Sequence, residues 1–150
     1  MANHPSYPFP TIREVICEIH FRLSREWDNA LYSEYFKTIE EQFPTFQPVT
    51  VVVELKPNAG GTNVFVPQLI RYPHASRNIL LQLSENRLSI NTLPPYLGWN
   101  QVRKDIKYAW NKLRDLIQPV EISRIGLRYI NGIEKSTEIE TLGRWINPTD

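Results

Sequence analysis

Residues 13 to 23, REVICEIHFRL, alternate between apolar and mostly polar side chains along the whole segment. Alternation with a period of two predicts a β-strand with one buried face and one polar face. A strand of this kind belongs to a sheet whose apolar face is covered by another layer, which limits the possible folds to layered ones. The apolar positions are Val15, Cys17, Ile19, Phe21 and Leu23.

The same segment brings Cys17, Glu18 and His20 close together in sequence, as a catalytic cluster would. On a strand, however, Cys17 points away from Glu18 and His20, so these side chains cannot cooperate in proton transfer. We therefore predict that Cys17 is a small buried hydrophobic residue, as free cysteines usually are. Glu18 and His20 alone do not define a nucleophile or an oxyanion donor, and no catalytic residue is predicted.

Two helices and several further strands are predicted after this segment. The first helix runs from Asp28, a potential N-cap, to Phe43, where the following proline ends it. The second runs from Trp99 to about Ile117, because apolar residues recur there at spacings of three and four. Hairpins are predicted around NAGGTN and SENR, and EISRIGLRYI forms a last strand. The inward side chains of that strand are predicted to be Ile125, Leu127 and Tyr129.

The predicted element order is β-α-β-β-β-β-α-β, in which most strands are joined by hairpins. This order is typical of an α+β fold: a single domain with a curved, mostly antiparallel sheet of about six strands and two helices on one face. We assign residues 1–133 to this domain. Residues 134–150 are interpreted as a linker or the start of a second portion missing from this chain, since Leu142, Trp145 and Ile146 have no following element to bury them.

Composition and charge restrict the kinds of partner. With 41% hydrophobic residues and a net charge of +1, the chain is typical of a globular protein and lacks an overall field that would attract nucleic acid. The basic second helix is matched by an acidic first helix, which further disfavours nucleic-acid binding. No apolar run is long enough to span a membrane. The single cysteine and the lack of a secretory signal indicate the cytoplasm.

Motifs for metals and cofactors are absent from the sequence. His4, His20 and His74 lie far apart, and neither H-x-x-x-H nor C-x-x-C occurs. NAGGTN contains glycines but lacks the lysine of a phosphate-binding loop, and a strand rather than a helix follows it. We therefore predict no metal site and no cofactor.

Polar residues on the first and last strands form the predicted binding surface. If these strands are neighbours, glutamates of the first strand meet arginines of the last across the outward face of the sheet. The residues concerned are Glu14, Glu18, His20, Arg22, Arg124 and Arg128. They could form solvated ion pairs, or a partner protein or a missing part of this protein could cover them. A second candidate site is an apolar cavity between the curved sheet and the second helix, lined by Phe21, Trp110 and Tyr129.

Two stretches carry a resemblance to a known group of proteins. In YPFPTIREVICEIHF a tyrosine and proline turn precedes an E-V-x-C-E-x-x-F strand, and RIGLRYINGI contains R-x-G-L-R-Y-x-N. They resemble the signatures of a sporadically distributed family of uncharacterised bacterial proteins. The matching residues are Tyr7, Pro8, Pro10, Ile12, Glu14, Val15, Phe21, Arg124, Gly126, Leu127, Arg128, Tyr129 and Asn131, whereas Phe9, Thr11, His20 and Gly132 depart from the pattern.

The resemblance covers most of the chain but brings no assigned activity. It implies a longer protein with a second α/β portion after the last strand, and a patchy distribution similar to that of genes on mobile elements, which is compatible with a defence or regulatory context. Our leading hypothesis is a non-enzymatic protein–protein interaction module that binds a protein partner or associates with itself. The alternative is a small-ligand-binding domain, or an enzyme, that uses the apolar cavity.

Overall fold

The computed structural model describes residues 11–50, 52–54, 63–65 and 69–133. Within them the strands are β1 (Ile12–Arg22), β2 (Gln47–Val49), β3 (Val52–Glu54), β4 (Asn63–Phe65), β5 (Leu69–Pro73), β6 (Ile79–Ser84), β7 (Arg87–Thr92) and β8 (Glu121–Asn131). The helices are α1 (Ala30–Ile39) and α2 (Trp99–Ile117). The amino-terminal turn, the loop of the first predicted hairpin at 55–62 and the predicted linker at 134–150 lie outside the described residues.

Six strands form one antiparallel sheet, the main sheet, in the order β2-β5-β6-β7-β1-β8. β1 lies between β7 and β8, so that Cys17 is opposite Ile90 on one side and Leu127 on the other. β3 and β4 pair with each other in a separate two-stranded sheet. The predicted α+β fold, with a mostly antiparallel sheet and two helices, is confirmed.

Helix α2 follows the prediction at both ends. Gly98 precedes it at a φ of 97°, a conformation that favours glycine, and its carbonyl oxygen accepts a hydrogen bond from the Val102 amide at 3.3 Å. Gln118 follows the helix in the left-handed conformation and donates its amide to the Arg114 carbonyl oxygen at 2.9 Å. Pro119 then cannot continue the helix. The residues that α2 buries are Val102, Ala109, Leu113 and Ile117.

Helix α1 is shorter than predicted. Asp28 Oδ1 accepts a hydrogen bond from an amide of the first turn at 2.9 Å, but the helix ends at Ile39 rather than at Phe43. The amides of Gln42 and Phe43 both donate to the Ile39 carbonyl oxygen, at 3.0 and 2.9 Å, which closes a turn after the helix. This turn still buries Phe43, whose ring packs edge-on against His74 with centroids 5.1 Å apart.

Both helices pack on the same face of the main sheet. Their apolar stripes meet inward side chains of β1, β5, β6 and β7 in one core, which includes no described residue of β8. Tyr35 of α1 is fully buried and donates its hydroxyl hydrogen bond to the Ala109 carbonyl oxygen of α2 at 3.0 Å. Tyr72 of β5 donates in the same way to the Tyr32 carbonyl oxygen of α1, also at 3.0 Å. These two bonds fix the helices to each other and to the sheet.

Candidate functional site

The face of the main sheet opposite the helices, the polar face, carries the side chains predicted to bind a partner. β1 and β8 are neighbours over their whole length, from Ile12 opposite Asn131 to Arg22 opposite Glu121. Because residues alternate between faces along a strand, all six predicted binding residues lie on the polar face. Those on β1 are Glu14, Glu18, His20 and Arg22, and those on β8 are Arg124 and Arg128.

Glu18 is the centre of a charged group on the polar face. Its carboxylate oxygens lie 3.3 Å from Arg128 Nη2 and 3.6 Å from His20 Nε2. Arg87 Nη1, on β7, lies 4.0 Å from the same carboxylate. Arg124 is directly opposite His20 in the pairing of the two strands. We call these five residues the Glu18 cluster. Arg128, Arg87 and His20 surround the one carboxylate and Arg124 lies opposite His20, so the cluster carries excess positive charge.

A separate row of hydrogen bonds crosses four strands of the polar face. Asn91 Nδ2 on β7 donates to Glu14 Oε1 on β1 at 2.7 Å. Asn91 Oδ1 accepts from Gln82 Nε2 on β6 at 3.0 Å and from the Ser89 hydroxyl at 2.9 Å. Gln82 Oε1 accepts from Arg71 Nε on β5 at 3.3 Å. Each of the two side-chain amides both donates and accepts a hydrogen bond within the row, so the row stabilises the sheet. Glu14 belongs to this row rather than to the Glu18 cluster.

The members of the polar face that were not predicted from the sequence include Arg87 and Asn91 on β7, and Glu121, which pairs with Arg22 at 3.1 Å. A signal for the first two exists, because RLSINT at residues 87–92 alternates polar and apolar side chains. Periodicity assigns a residue to a face but does not identify the neighbouring strand. The position of β7 beside β1 was therefore needed to place Arg87 next to Glu18.

Strand β8 presents apolar side chains on the helix side of the sheet. We call Ile125, Leu127 and Tyr129 the apolar strip; they lie opposite Ile19, Cys17 and Val15, in that order. Directly opposite residues of antiparallel strands share a face, so the predicted inward direction is confirmed. The side chains are nevertheless 63%, 44% and 39% exposed. Neither described helix covers them, because the core that the helices form reaches β1 but includes no described residue of β8.

Tyr129 closes one end of the apolar strip. Its ring packs edge-on against that of Tyr96, which lies in the segment that leads into α2; the ring centroids are 6.2 Å apart. Partial burial and the hydrogen bond with the Tyr96 side chain raise the pKa of Tyr129 to about 12. The phenol therefore stays neutral around pH 7 and keeps its proton available for a hydrogen bond.

The three residues predicted to line an apolar cavity do not come together. Phe21 is 2% exposed, and its ring centroid lies 5.9 Å from that of Trp110. Phe21 pairs with the start of β8, whereas Tyr129 lies near the end of that strand. Phe21 and Trp110 therefore pack together without Tyr129. An open depression of about 600 Å³ lies beside them, between the end of α2 and the start of β8. Its lining residues are Trp110, Arg114, Asp115, Gln118, Pro119, Glu121 and Ile122.

Two kinds of reactive group are relevant to catalysis among the described residues: a nucleophilic thiol and a set of metal ligands. Burial, and secondarily the negative charge of Glu18, raises the pKa of the Cys17 thiol, which disfavours the nucleophilic thiolate. No set of three histidine, cysteine, aspartate or glutamate side chains in this part of the chain is grouped as metal ligands would be. Of the helices described, none is both long enough and apolar enough to cross a membrane.

In comparisons with known proteins, no family model, no curated protein and no solved structure matches this chain. The resemblance to a bacterial family stays a prediction. The geometry of the polar face and of β8 is therefore the basis for inferring a function.

Proposed function

We propose that this protein is a cytoplasmic protein–protein interaction module that binds its partner through β8 and the adjoining polar face. The observation that carries this proposal is the exposure of the apolar strip on an edge strand. A cytoplasmic location agrees with the single, unpaired cysteine, Cys17.

The apolar strip and the strand edge both favour association. Fully burying one side chain of this size stabilises a complex by about 1.5–3 kcal/mol relative to leaving it exposed. β8 is 11 residues long and has β1 as its one neighbour in the described sheet. The outer edge of such a strand offers backbone N–H and C=O groups to a further strand, and proteins usually protect edges of this length. A partner that binds β8 would bury the apolar strip and pair with the backbone groups of the strand edge at the same time.

The Glu18 cluster supports a partner surface next to this edge. Its exposed pairs contribute little to the stability of the fold, about 0–1 kcal/mol each, because water screens them. Charged groups at the rim of an interface instead influence which partner binds and how fast it associates. Arg128 is suited to this role, since its side chain is 64% exposed and stands on β8 itself.

The alternative, a small-ligand-binding domain, has weaker support. Phe21 and Trp110 pack against each other, which leaves no space between them for a ligand. The nearby depression is open, and charged side chains such as Arg114, Asp115 and Glu121 form part of its lining. Ligand pockets usually enclose most of the ligand surface within mainly apolar walls.

Site-specific photocrosslinking in cells tests the proposed function. A benzoylphenylalanine at position 127 replaces Leu127 on the apolar strip, and one at position 104 replaces Lys104, an exposed residue of α2. We expect a crosslinked species of higher mass from position 127 and none from position 104. Ile125→Asp, introduced together with the crosslinker at 127, should abolish that species because it places a charge in the apolar contact.

Crosslinking of the purified protein, with light scattering of the same sample, separates self-association from a foreign partner. A crosslinked dimer in the purified sample indicates a second copy, and a species formed only in cells indicates another protein. Absence of any crosslink from position 127, and also from a crosslinker in place of Tyr129, would refute binding through β8.

A further inference from the structure

We propose that the open edge of β8 binds an extended segment of a foreign protein in which apolar residues alternate with aspartate or glutamate. This inference rests on the proposed function and adds the chemistry of the partner. It follows from three features of β8: an edge that none of the described strands occupies, the different character of its two faces, and a gap between two arginines.

The first feature is the edge itself. β1 pairs with β8 from Arg22 opposite Glu121 to Ile12 opposite Asn131, so one edge of β8 is occupied along its length. Among the described strands none occupies the other edge. An extended segment can add to such an edge through backbone hydrogen bonds, in the manner of β-strand addition. Side chains of the added strand then alternate between the two faces of the sheet.

The second feature is the contrast between the faces of β8. On the helix side, the added strand would meet the apolar strip, whose members are 39% to 63% exposed. On the polar face it would meet Arg124, Gly126 and Arg128. Apolar residues on one side of the partner strand and acidic residues on the other fit both faces at once, because opposite charges and apolar pairs are the favourable cross-strand combinations.

The third feature is the space at Gly126. A Cβ built on Gly126 has no atom within 4 Å, so the polar face is open between Arg124 and Arg128. Glu18, the neighbouring carboxylate, is already shared by Arg128, Arg87 and His20. Arg124 makes no ion pair with any described residue. A carboxylate from the partner strand can enter the space above Gly126 and pair with the arginines on either side.

A second copy of this chain fits the edge less well. Antiparallel pairing of β8 with itself about Gly126 would place Arg124 directly opposite Arg128 of the other copy. Antiparallel pairing about Leu127 would place Ile125 of one copy opposite Tyr129 of the other, which is favourable. In that register, however, Arg128 of one copy would be the diagonal neighbour of both Arg124 and Arg128 of the other copy. Like charges that face each other across strands are destabilising, so both registers concentrate repulsion at the centre of the interface.

Fluorescence anisotropy with short labelled peptides tests this inference on the full chain. The acidic probe alternates valine and glutamate, the basic probe alternates valine and lysine, and the blocked probe is the acidic peptide N-methylated at every amide. We expect the acidic probe to bind at least about tenfold more tightly than the basic probe, a difference of about 1.4 kcal/mol. The blocked probe should not bind, because it cannot complete the strand hydrogen bonds.

Charge reversal on β8 provides the matched test. Arg124→Glu combined with Arg128→Glu should reverse the preference between the acidic and basic probes, and the milder pair Arg124→Gln and Arg128→Gln should remove it. Lys104→Glu, on the exposed side of α2, should leave the preference unchanged. Circular dichroism verifies that each variant retains its fold, which the exposure of these side chains predicts.

Equal binding of the acidic and basic probes, or tighter binding of the basic one, would overturn the acidic partner. Undiminished binding of the blocked probe would overturn strand addition. If no probe binds while the crosslinker at position 127 still captures a protein in cells, this inference fails and the proposed function stands. If neither that crosslinker nor the one in place of Tyr129 captures a protein, the proposed function fails as well.

Discussion

Leu127 lies directly opposite Cys17 in the pairing of β8 with β1, yet Leu127 is 44% exposed and Cys17 is 4% exposed. The two side chains share one face of the same sheet. The helices cover that face over β1 and leave it open over β8, so the boundary of the core runs between these neighbouring strands. The difference in burial leads to different expectations for substitutions on the two strands.

Truncation should cost far less on β8 than in the core. Leu127→Ala should lower the free energy of unfolding by less than about 1 kcal/mol, because much of the side chain is already in water. Leu88→Ala, at a side chain with 0% exposure on β7, should lower it by about 2–5 kcal/mol, since it removes buried contacts and leaves a cavity. Urea denaturation of both variants measures the difference. Equal costs would place Leu127 inside the core and contradict the exposure of the apolar strip.

Cys17 should behave as a buried hydrophobic residue. Cys17→Ser should lower the free energy of unfolding by about 1–3 kcal/mol, because it buries a hydroxyl without a partner. Native protein should react slowly with thiol reagents, since the thiol is covered and its raised pKa disfavours the thiolate. Labelling with and without denaturant measures both effects. Rapid labelling of the folded protein would show that the face assignment of β1 is wrong.

Glu18 and His20 should matter little for the fold. Glu18→Ala and His20→Ala should each change the free energy of unfolding by less than about 1 kcal/mol, because their ion pairs lie on a partly exposed surface. An effect of either substitution should appear instead in partner binding, measured by the yield of the crosslink from position 127. A loss of several kcal/mol on either substitution would indicate a structural role that the geometry does not explain.

The hydrogen bond between the two helices should be measurable through Tyr35. Tyr35→Phe removes the hydroxyl that donates to the Ala109 carbonyl oxygen and should lower the free energy of unfolding by about 0.5–1.5 kcal/mol. Burial raises the pKa of Tyr35 well above its usual value, so the hydroxyl is protonated at every ordinary pH. Tyr108→Phe is the control, since its hydroxyl makes no hydrogen bond with the described residues. A cost for the control equal to that for Tyr35→Phe would argue against the bond.

His74 should make stability depend on pH on the acidic side of neutrality. Its Nδ1 accepts the amides of Ser76 and Arg77 at 3.1 and 2.9 Å, which requires an unprotonated nitrogen. Burial, and secondarily the charge of Arg77, lowers the pKa of His74 below its usual value of 6.5, although Asp105 opposes this shift.

The sign of this effect follows from proton uptake. Below pH 6.5 the unfolded chain binds a proton at His74 before the folded chain does, so stability falls as the pH drops from 6.5 towards the folded pKa. His74→Asn supplies an uncharged acceptor in place of Nδ1 and should reduce this fall, as measured by urea midpoints at several pH values. An unchanged pH dependence in His74→Asn would rule out His74 as its source.

The sequence by itself determined which residues of β1 lie on each face of the sheet, and it determined the position of α2, the helix with the clearest apolar periodicity. The alternation around Cys17 placed Glu18 and His20 on the other side of the sheet, and the spacing of Val102, Ala109 and Leu113 defined α2. These features are local, because a periodicity of two or 3.6 follows from backbone geometry within one element. The end of α1 was less well determined, since a turn at Ile39 competes with the helix that proline would otherwise end.

Only the tertiary structure decided which elements are neighbours. Arg87 joined Glu18 because β7 pairs with β1, and Leu127 became exposed because β8 is the last strand of the main sheet. Strand order depends on contacts between residues far apart in sequence, which the pattern within a strand does not specify. An apolar residue that points to the helix side has the same periodicity whether or not a helix covers it, so the open apolar strip became visible only after the chain was folded.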